Sequence, residues 1–77
     1  MRMWPGNNET ELVRNGWTSI VLNIDKITDI NGLLDFLDSN RPGRWYVQLF
    51  SNPRENTYYF ENKQTAVEFA LRFSYAS

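Results

Sequence analysis

Residues 43–62 read GRWYVQLFSNPRENTYYFEN and hold six of the chain's twelve aromatic side chains. Two runs of strand-forming residues, 44–50 and 57–61, flank a segment of turn formers at 51–56, which is the pattern of a β-hairpin. Strand alternation sorts the first run into Trp45, Val47 and Leu49 on one side and Tyr46, Gln48 and Phe50 on the other. On the returning run Tyr58 and Phe60 oppose Thr57, Tyr59 and Glu61. The sets Trp45, Val47, Leu49 and Tyr58, Phe60 are the more apolar and are expected to face the core. Beyond them the period changes: Ala66, Phe69, Ala70 and Phe73 share one face of a helix, Val67 and Leu71 flank it, and Asn62 is suited to cap it.

Upstream, WTSIVLNI (residues 17–24) alternates with Thr18, Ile20, Leu22 and Ile24 toward the core and Trp17, Ser19, Val21 and Asn23 away from it. Asn15-Gly16 before it suits a two-residue hairpin turn, in which both central residues take positive φ, so a hairpin is expected over residues 10–24. In DKITDINGLLDFLDSN, Ile30, Leu33, Leu34 and Leu37 fall at i, i+3, i+4 and i+7, the stripe of an amphipathic helix. Thr28 or Asp29 can cap that helix, and Asn40 with Pro42-Gly43 ends it. Gly32 costs the helix about 1 kcal/mol against alanine, so packing must hold it. The expected fold is α+β: an antiparallel sheet of about four strands with two helices on one face, in the order ββαββα, or βαββα if the first strand is absent. Residues 1–8, with Pro5, Gly6, Asn7 and Asn8, are expected to form a flexible tail, and residues 9–77 a single domain.

A chain of 77 residues is one domain, and one this short buries only about 60% of the surface it exposes when unfolded. It contains no cysteine and no histidine, which removes thiolate zinc sites, Cys-His and Ser-His machinery and the commonest general base. INGLL and RPGR lack the spacing of a phosphate-binding glycine loop. Asp25 with Asp29, and Asp35 with Asp38, fit capping and a solvated helix face. No catalytic residue, metal site or cofactor is therefore expected. MRMWPGNNETE has no apolar core of a signal sequence and no run approaches a membrane span, so a cytoplasmic protein without membrane contact is expected. Residues 1–40 carry three basic and six acidic side chains, residues 41–77 five and three. That lacks the clear basic excess of a dedicated nucleic-acid binder.

The face turned from the core carries Trp17, Val21, Tyr46, Phe50 and Tyr59, more apolar than a solvated sheet face. Cross-strand ring pairs on it would each contribute about 0.2–1 kcal/mol. Alternatively the segment Met3-Trp4-Pro5 folds back over it, or it is an interaction surface for a protein, a second copy or stacked bases. Arg41, Arg44 and Arg54 read as surface cations or as anchors for an acidic or phosphate-bearing partner. The tip of a hairpin lies opposite its base, so the three need not cluster.

The run RWYVQLF…TYYFENKQTAVEFA, within residues 44–77, resembles the arm-type DNA-binding domains of phage tyrosine recombinases. In that family a three-stranded sheet enters the major groove and a helix backs it. The resemblance implies nucleic-acid binding, with Tyr46, Gln48, Phe50, Thr57, Tyr59 and Glu61 facing DNA, none of them basic. In size, aromatic content and lack of catalytic residues the chain is also similar to small phage- or plasmid-encoded accessory proteins that block one host protein. The leading expectation is a non-enzymatic protein-binding module, of the kind that inhibits a host protein, acting through the aromatic face and the 51–56 loop. Trp17, Tyr46, Phe50 and Tyr59 would be its apolar anchors, and Arg44 and Arg54 would steer an acidic partner. A nucleic-acid-binding hairpin-helix unit and a structural homodimer are the alternatives.

Overall fold

A computed structural model describes residues 1–6 and 9–74. Its elements are β1 (Arg2–Met3), α1 (Glu9–Arg14), β2 (Thr18–Asn23), α2 (Ile30–Leu37), β3 (Arg44–Asn52), β4 (Glu55–Phe60) and α3 (Lys63–Phe73), with a 3-10 turn at Ile24–Lys26. The strands form one sheet in the order β1-β3-β4-β2, with β4 antiparallel to both neighbours and β1 parallel to β3. The α+β class is as expected. The sheet, however, is mixed where a purely antiparallel one was expected. No helix of the described residues is long and apolar enough to cross a membrane.

The difference begins at the N-terminus. Residues 10–15, expected as the first strand of a hairpin, belong to helix α1 and the turn that ends it. Glu, Leu and Arg are good helix formers, and Asn-Gly closes a helix as readily as it turns a hairpin. Gly16, at φ +81°, donates its N–H to the Val13 carbonyl at 3.1 Å, and the Trp17 N–H reaches the Leu12 carbonyl at 3.0 Å. These two bonds make a Schellman motif, in which the left-handed glycine lets the chain turn from α1 into β2. The fourth strand comes instead from residues expected as a loose tail: Arg2 and Met3 pair with Arg44 and Trp45, and the Trp4 N–H donates to the Trp45 carbonyl at 2.7 Å. Asn7 and Asn8 of that tail, and residues 75–77 of the expected domain, lie outside the described residues.

Helices α2 and α3 close the main core against the sheet. Phe60, Phe36 and Phe69 meet at its centre, with ring centroids of Phe60 and Phe69 4.8 Å apart. Ile20, Trp45 and Val47 line it from the sheet, as the alternation predicts. Helix α3 buries Ala66, Phe69 and Ala70, and the Asn62 side chain caps it by accepting the Thr65 N–H at 3.1 Å. On α2 the buried face is shifted from the expected stripe. Leu33, Phe36 and Leu37 are buried, whereas Ile30 and Leu34 are exposed. Asp29 caps this helix by accepting the Gly32 N–H at 3.0 Å, and its carboxylate lies where a Cβ on Gly32 would sit. A residue that looks costly in a helix interior thus makes room for the cap.

Leu12 is 1% exposed, although it does not belong to the main core cluster, and its neighbour Val13 is exposed. Leu12→Ala is expected to cost about 2–5 kcal/mol in urea unfolding, and Val13→Ala less than about 0.5 kcal/mol. Comparable losses for both would contradict the helix.

Candidate interaction site

The sheet face opposite the main core is built in cross-strand rows. Tyr46, Tyr59 and Ser19 form one row, and Gln48, Thr57 and Val21 the next. Two residues toward the base of the hairpin, Arg44 and Glu61 come together, with Arg44 over Trp17, the residue before β2. Tyr46 and Tyr59 stack with centroids 6.1 Å apart. Trp4 closes edge-on over both Tyr46, at 5.5 Å, and Trp17, at 6.1 Å. Tyr59 is left 8% exposed, and Tyr46 and Trp17 are half-buried. The N-terminal segment therefore covers much of the face on which the sequence places exposed anchors. Edge-to-face contacts of this kind contribute about 0.5–1.5 kcal/mol each beyond the area they bury.

Arg44 belongs to the same cluster rather than to a free cationic surface. Its Nη2 donates to Glu61 Oε2 at 2.9 Å, its backbone N–H donates to Glu61 Oε1 at 3.0 Å, and its guanidinium lies 5.6 Å from the Trp17 ring centroid. These hydrogen bonds hold the Glu61 carboxyl below the usual carboxylate range and raise the Arg44 guanidinium. At the other end of the hairpin Arg54 Nη1 donates to Asp25 Oδ2 at 2.9 Å, and Arg41 Nε donates to Glu68 Oε2 at 2.9 Å. The arginines are thus spread over separate places, each with a carboxylate partner.

Phe50 behaves differently from the other rings. The register passes from Gln48↔Thr57 to Asn52↔Glu55, so Leu49, Phe50 and Ser51 stand opposite Asn56 alone. This is a β-bulge, and it turns the remaining side chains off the regular alternation. Leu49, expected in the core, is 60% exposed, and Phe50 is 69% exposed. Phe50 has φ +56°, the only positive φ of a non-glycine residue among those described. For an L-residue that conformation costs on the order of 1–2 kcal/mol. It persists because neighbouring groups determine it. The Phe50 N–H donates to Oδ1 of the buried Asn56 at 3.0 Å, and the Ser51 and Thr57 hydroxyls share a hydrogen bond of 2.8 Å. The tip is tied down as well, because the Ile24 N–H donates to the Arg54 carbonyl at 2.7 Å. A large ring is thereby held in solvent on an immobilised, strained backbone.

Of the sequence-derived anchors, then, Tyr59 is buried, Trp17 and Tyr46 lie half-buried beneath Trp4, and Phe50 stands out in solvent. Leu49 joins Phe50 at the bulge. Its exposure had no sequence signal, because a register shift is invisible to alternation. Among the described residues no group of three or more acidic side chains could hold a metal ion. Burial pushes the Tyr58 phenol up, an effect offset in part by Asn56, so it stays protonated in the core.

Two measurements test this arrangement. Phe50→Gly is expected to leave the unfolding free energy unchanged or raise it by up to about 1 kcal/mol, since glycine relieves the left-handed strain. Tyr59→Ala should instead cost about 3–5 kcal/mol, the loss typical of a buried aromatic. A large loss for Phe50→Gly would place its ring in the core. Glu61 offers a pH test. Because its folded pKa is depressed, the ion pair stabilises the fold above the ordinary carboxylate pKa and is lost as pH falls through the depressed value. Glu61→Gln should lower stability at neutral pH and leave it unchanged in strong acid, so urea curves of parent and variant should converge as pH falls.

No protein-family model matches the chain, and no curated protein or solved structure matches it either.

Proposed function

We propose that the chain is a non-enzymatic protein-binding module whose contact is centred on the bulge of β3, with Phe50 as the anchor and Leu49 beside it. The observation that carries this reading is the exposed Phe50 ring held at positive φ by a buried asparagine. Backbone strain at a bulky residue persists where the surroundings enforce it, and such positions cluster at ligand clamps and binding elements. A preorganised aromatic loses little side-chain entropy on docking, so it is a favourable anchor for an apolar pocket on another protein. Its neighbours on β3, Leu49 and Ser51, are uncharged. Arg54, at the tip of the same hairpin, would contribute at the rim after exchanging Asp25 for a partner carboxylate. Rim charges of this kind affect association rate more than affinity.

The nucleic-acid reading has less support, because Arg41, Arg44 and Arg54 each already have a carboxylate partner. Phosphate binding would have to displace those partners. The rings that would stack on bases are also covered in large part by Trp4.

Photo-crosslinking from single positions distinguishes these readings. A benzophenone side chain replacing Phe50 is expected to capture a protein in extracts of the source cell, whereas one replacing Tyr46 captures none. With the benzophenone placed instead at the adjacent Ser51, Phe50→Ser should abolish capture with thermal stability preserved, and the complex should persist in high salt. Loss of the complex at moderate salt together with a mobility shift of DNA or RNA would refute the protein-binding reading. A dimer in sedimentation that Phe50→Glu dissociates would assign Phe50 to self-association instead.

A further inference from the structure

The two edges of the sheet are built differently. Strand β1 has two residues, one of them Arg2, and Pro5 follows Trp4, so that edge is blunted. Strand β2, at the other edge, has six residues, TSIVLN, without charge or proline, and it pairs with β4 in unbroken register from Thr18 to Asn23. That register fixes which of its backbone groups are used. The Ile24 N–H donates to the Arg54 carbonyl in continuation of the same register, so Leu22, Ile20 and Thr18 are the residues that bond to β4. Ser19 and Val21 therefore direct their N–H and C=O groups away from β4. Both residues are exposed, and no strand of the described residues lies beyond them.

Helix α3, which packs on β2 and β4, leaves an apolar row above the same edge. Glu68 and Arg72 lie on the side of α3 that faces α2, because Glu68 holds Arg41, and Arg41 and Arg72 both lie over the Phe36 ring. Val67 and Leu71, one turn apart, are on the opposite side and are 48% and 57% exposed. Ser74, the next residue on their row, lines a recess of about 240 Å³ with Val21, Leu22, Asn23 and Phe73, which puts the row at the β2 edge. The two charged residues of that recess, Lys26 and Glu55, are of opposite sign.

We infer that a second copy of the chain covers this edge. Two β2 strands pair antiparallel about a two-fold axis at Val21 and join the two four-stranded sheets into one. The strand is self-complementary about that residue. Val21 meets its own copy in a hydrogen-bonded pair, Ser19 meets Asn23, and Ile20 meets Leu22, so polar faces polar and apolar faces apolar. On the core face the copy's Ile20 then stands beside Leu22, at the recess that Leu22 and Phe73 line. The same axis puts both α3 helices on one face of the joined sheet. Strands are about 4.8 Å apart, so helices lying over β2 and β4 come about 10 Å from each other, the spacing of packed helices. Val67 and Leu71 of each helix then face those of the other. Asp25 and Lys26, just past one end of β2, fall at the opposite end of the pair from their copies, so like charges are kept apart. A strand pair alone buries little apolar surface, and the two helix rows supply the apolar area that a stable dimer needs. Strand β2 and the Phe50 bulge of β3 lie on opposite sides of β4, so this pairing leaves Phe50 free for a partner.

Sedimentation of the full chain from about 1 μM to 1 mM is expected to show a monomer–dimer equilibrium. Val21 is exposed, so charging it tests the axis without entering the core. Val21→Lys and Val21→Glu each set like charges opposite one another and should weaken the dimer about tenfold. An equimolar mixture of the two variants should restore it, which requires pairing at Val21. Leu71→Glu should dissociate the dimer as well. Phe50→Ser should leave it intact, so failure of the bulge reading and failure of this one are separable. In the parent protein the Ser19 and Val21 amides should exchange with solvent more slowly as concentration rises. A monomer throughout that range, a dimer indifferent to Val21→Lys and Leu71→Glu, or one that Phe50→Glu dissociates would overturn the proposal. Should a variant unfold by circular dichroism, the concentration dependence of the two amides in the parent still decides it.

Discussion

Strand β4 is buried along residues 56–60 on both of its faces, and the rest of the molecule is arranged to make that possible. It is hydrogen-bonded to β3 on one side and β2 on the other. Tyr58 and Phe60 point into the core under α2 and α3, which forces Thr57 and Tyr59 to the other face. A small chain has little material for a second full layer. Single rings supply it instead: Tyr46 from β3 packs on Tyr59, and Trp4 from the N-terminal segment closes over Tyr46 and over Trp17, just before β2. Tyrosine suits such a position, since its ring adds apolar area while its hydroxyl reaches a polar partner. No buried side-chain nitrogen or oxygen among the described residues is left without a hydrogen-bond partner.

The bulge follows from the same strand. Asn56 is buried, and its carboxamide must be satisfied, which it achieves by accepting the Phe50 N–H. That bond fits only if β3 leaves the regular ladder, with three of its residues opposite one of β4. The departure turns Leu49 and Phe50 outward. Exposure at the bulge and burial at the base of the hairpin thus have a common origin in how β4 is satisfied. The electrostatics fit this division. Arg44 and Glu61 clasp the base, where the aromatic cluster is closed, and Arg54 with Asp25 steadies the tip, where it is open. Both pairs are largely solvated and worth little alone. Their role here is to fix the two ends of a hairpin whose middle is strained.

Much of the fold was legible from period and residue type. The strands around Ile20 and Val47, the returning strand through Tyr58, the face of α3 and its Asn62 cap all follow from local pattern. Three features were not legible, each for a definite reason. Residues 10–15 carry helix formers followed by Asn-Gly, and that dipeptide ends a helix or turns a hairpin with equal local chemistry. On α2, packing of the Phe36 ring with Phe60 and Phe69 turns the buried face toward Phe36 and away from Ile30 and Leu34. At the site, alternation separates Tyr46, Phe50 and Tyr59 from the core but treats them as equivalent, although one is bare and two are covered.

By itself the sequence determined the alternation of β2, β3 and β4, the helices α2 and α3 with their caps, and that no histidine or cysteine chemistry is present. Those properties depend on neighbours a few positions apart, and local sterics and hydrogen bonding set them. Tertiary structure decided which surfaces meet. It brought Trp4 onto Tyr46 and Trp17, added residues 2–3 as a strand beside β3, and shifted the β3 register at Phe50. Such outcomes depend on how two distant segments fill one space and satisfy one buried amide. No window of a few residues carries that information, and so exposure of a ring, unlike its parity, emerges only when the whole chain is packed.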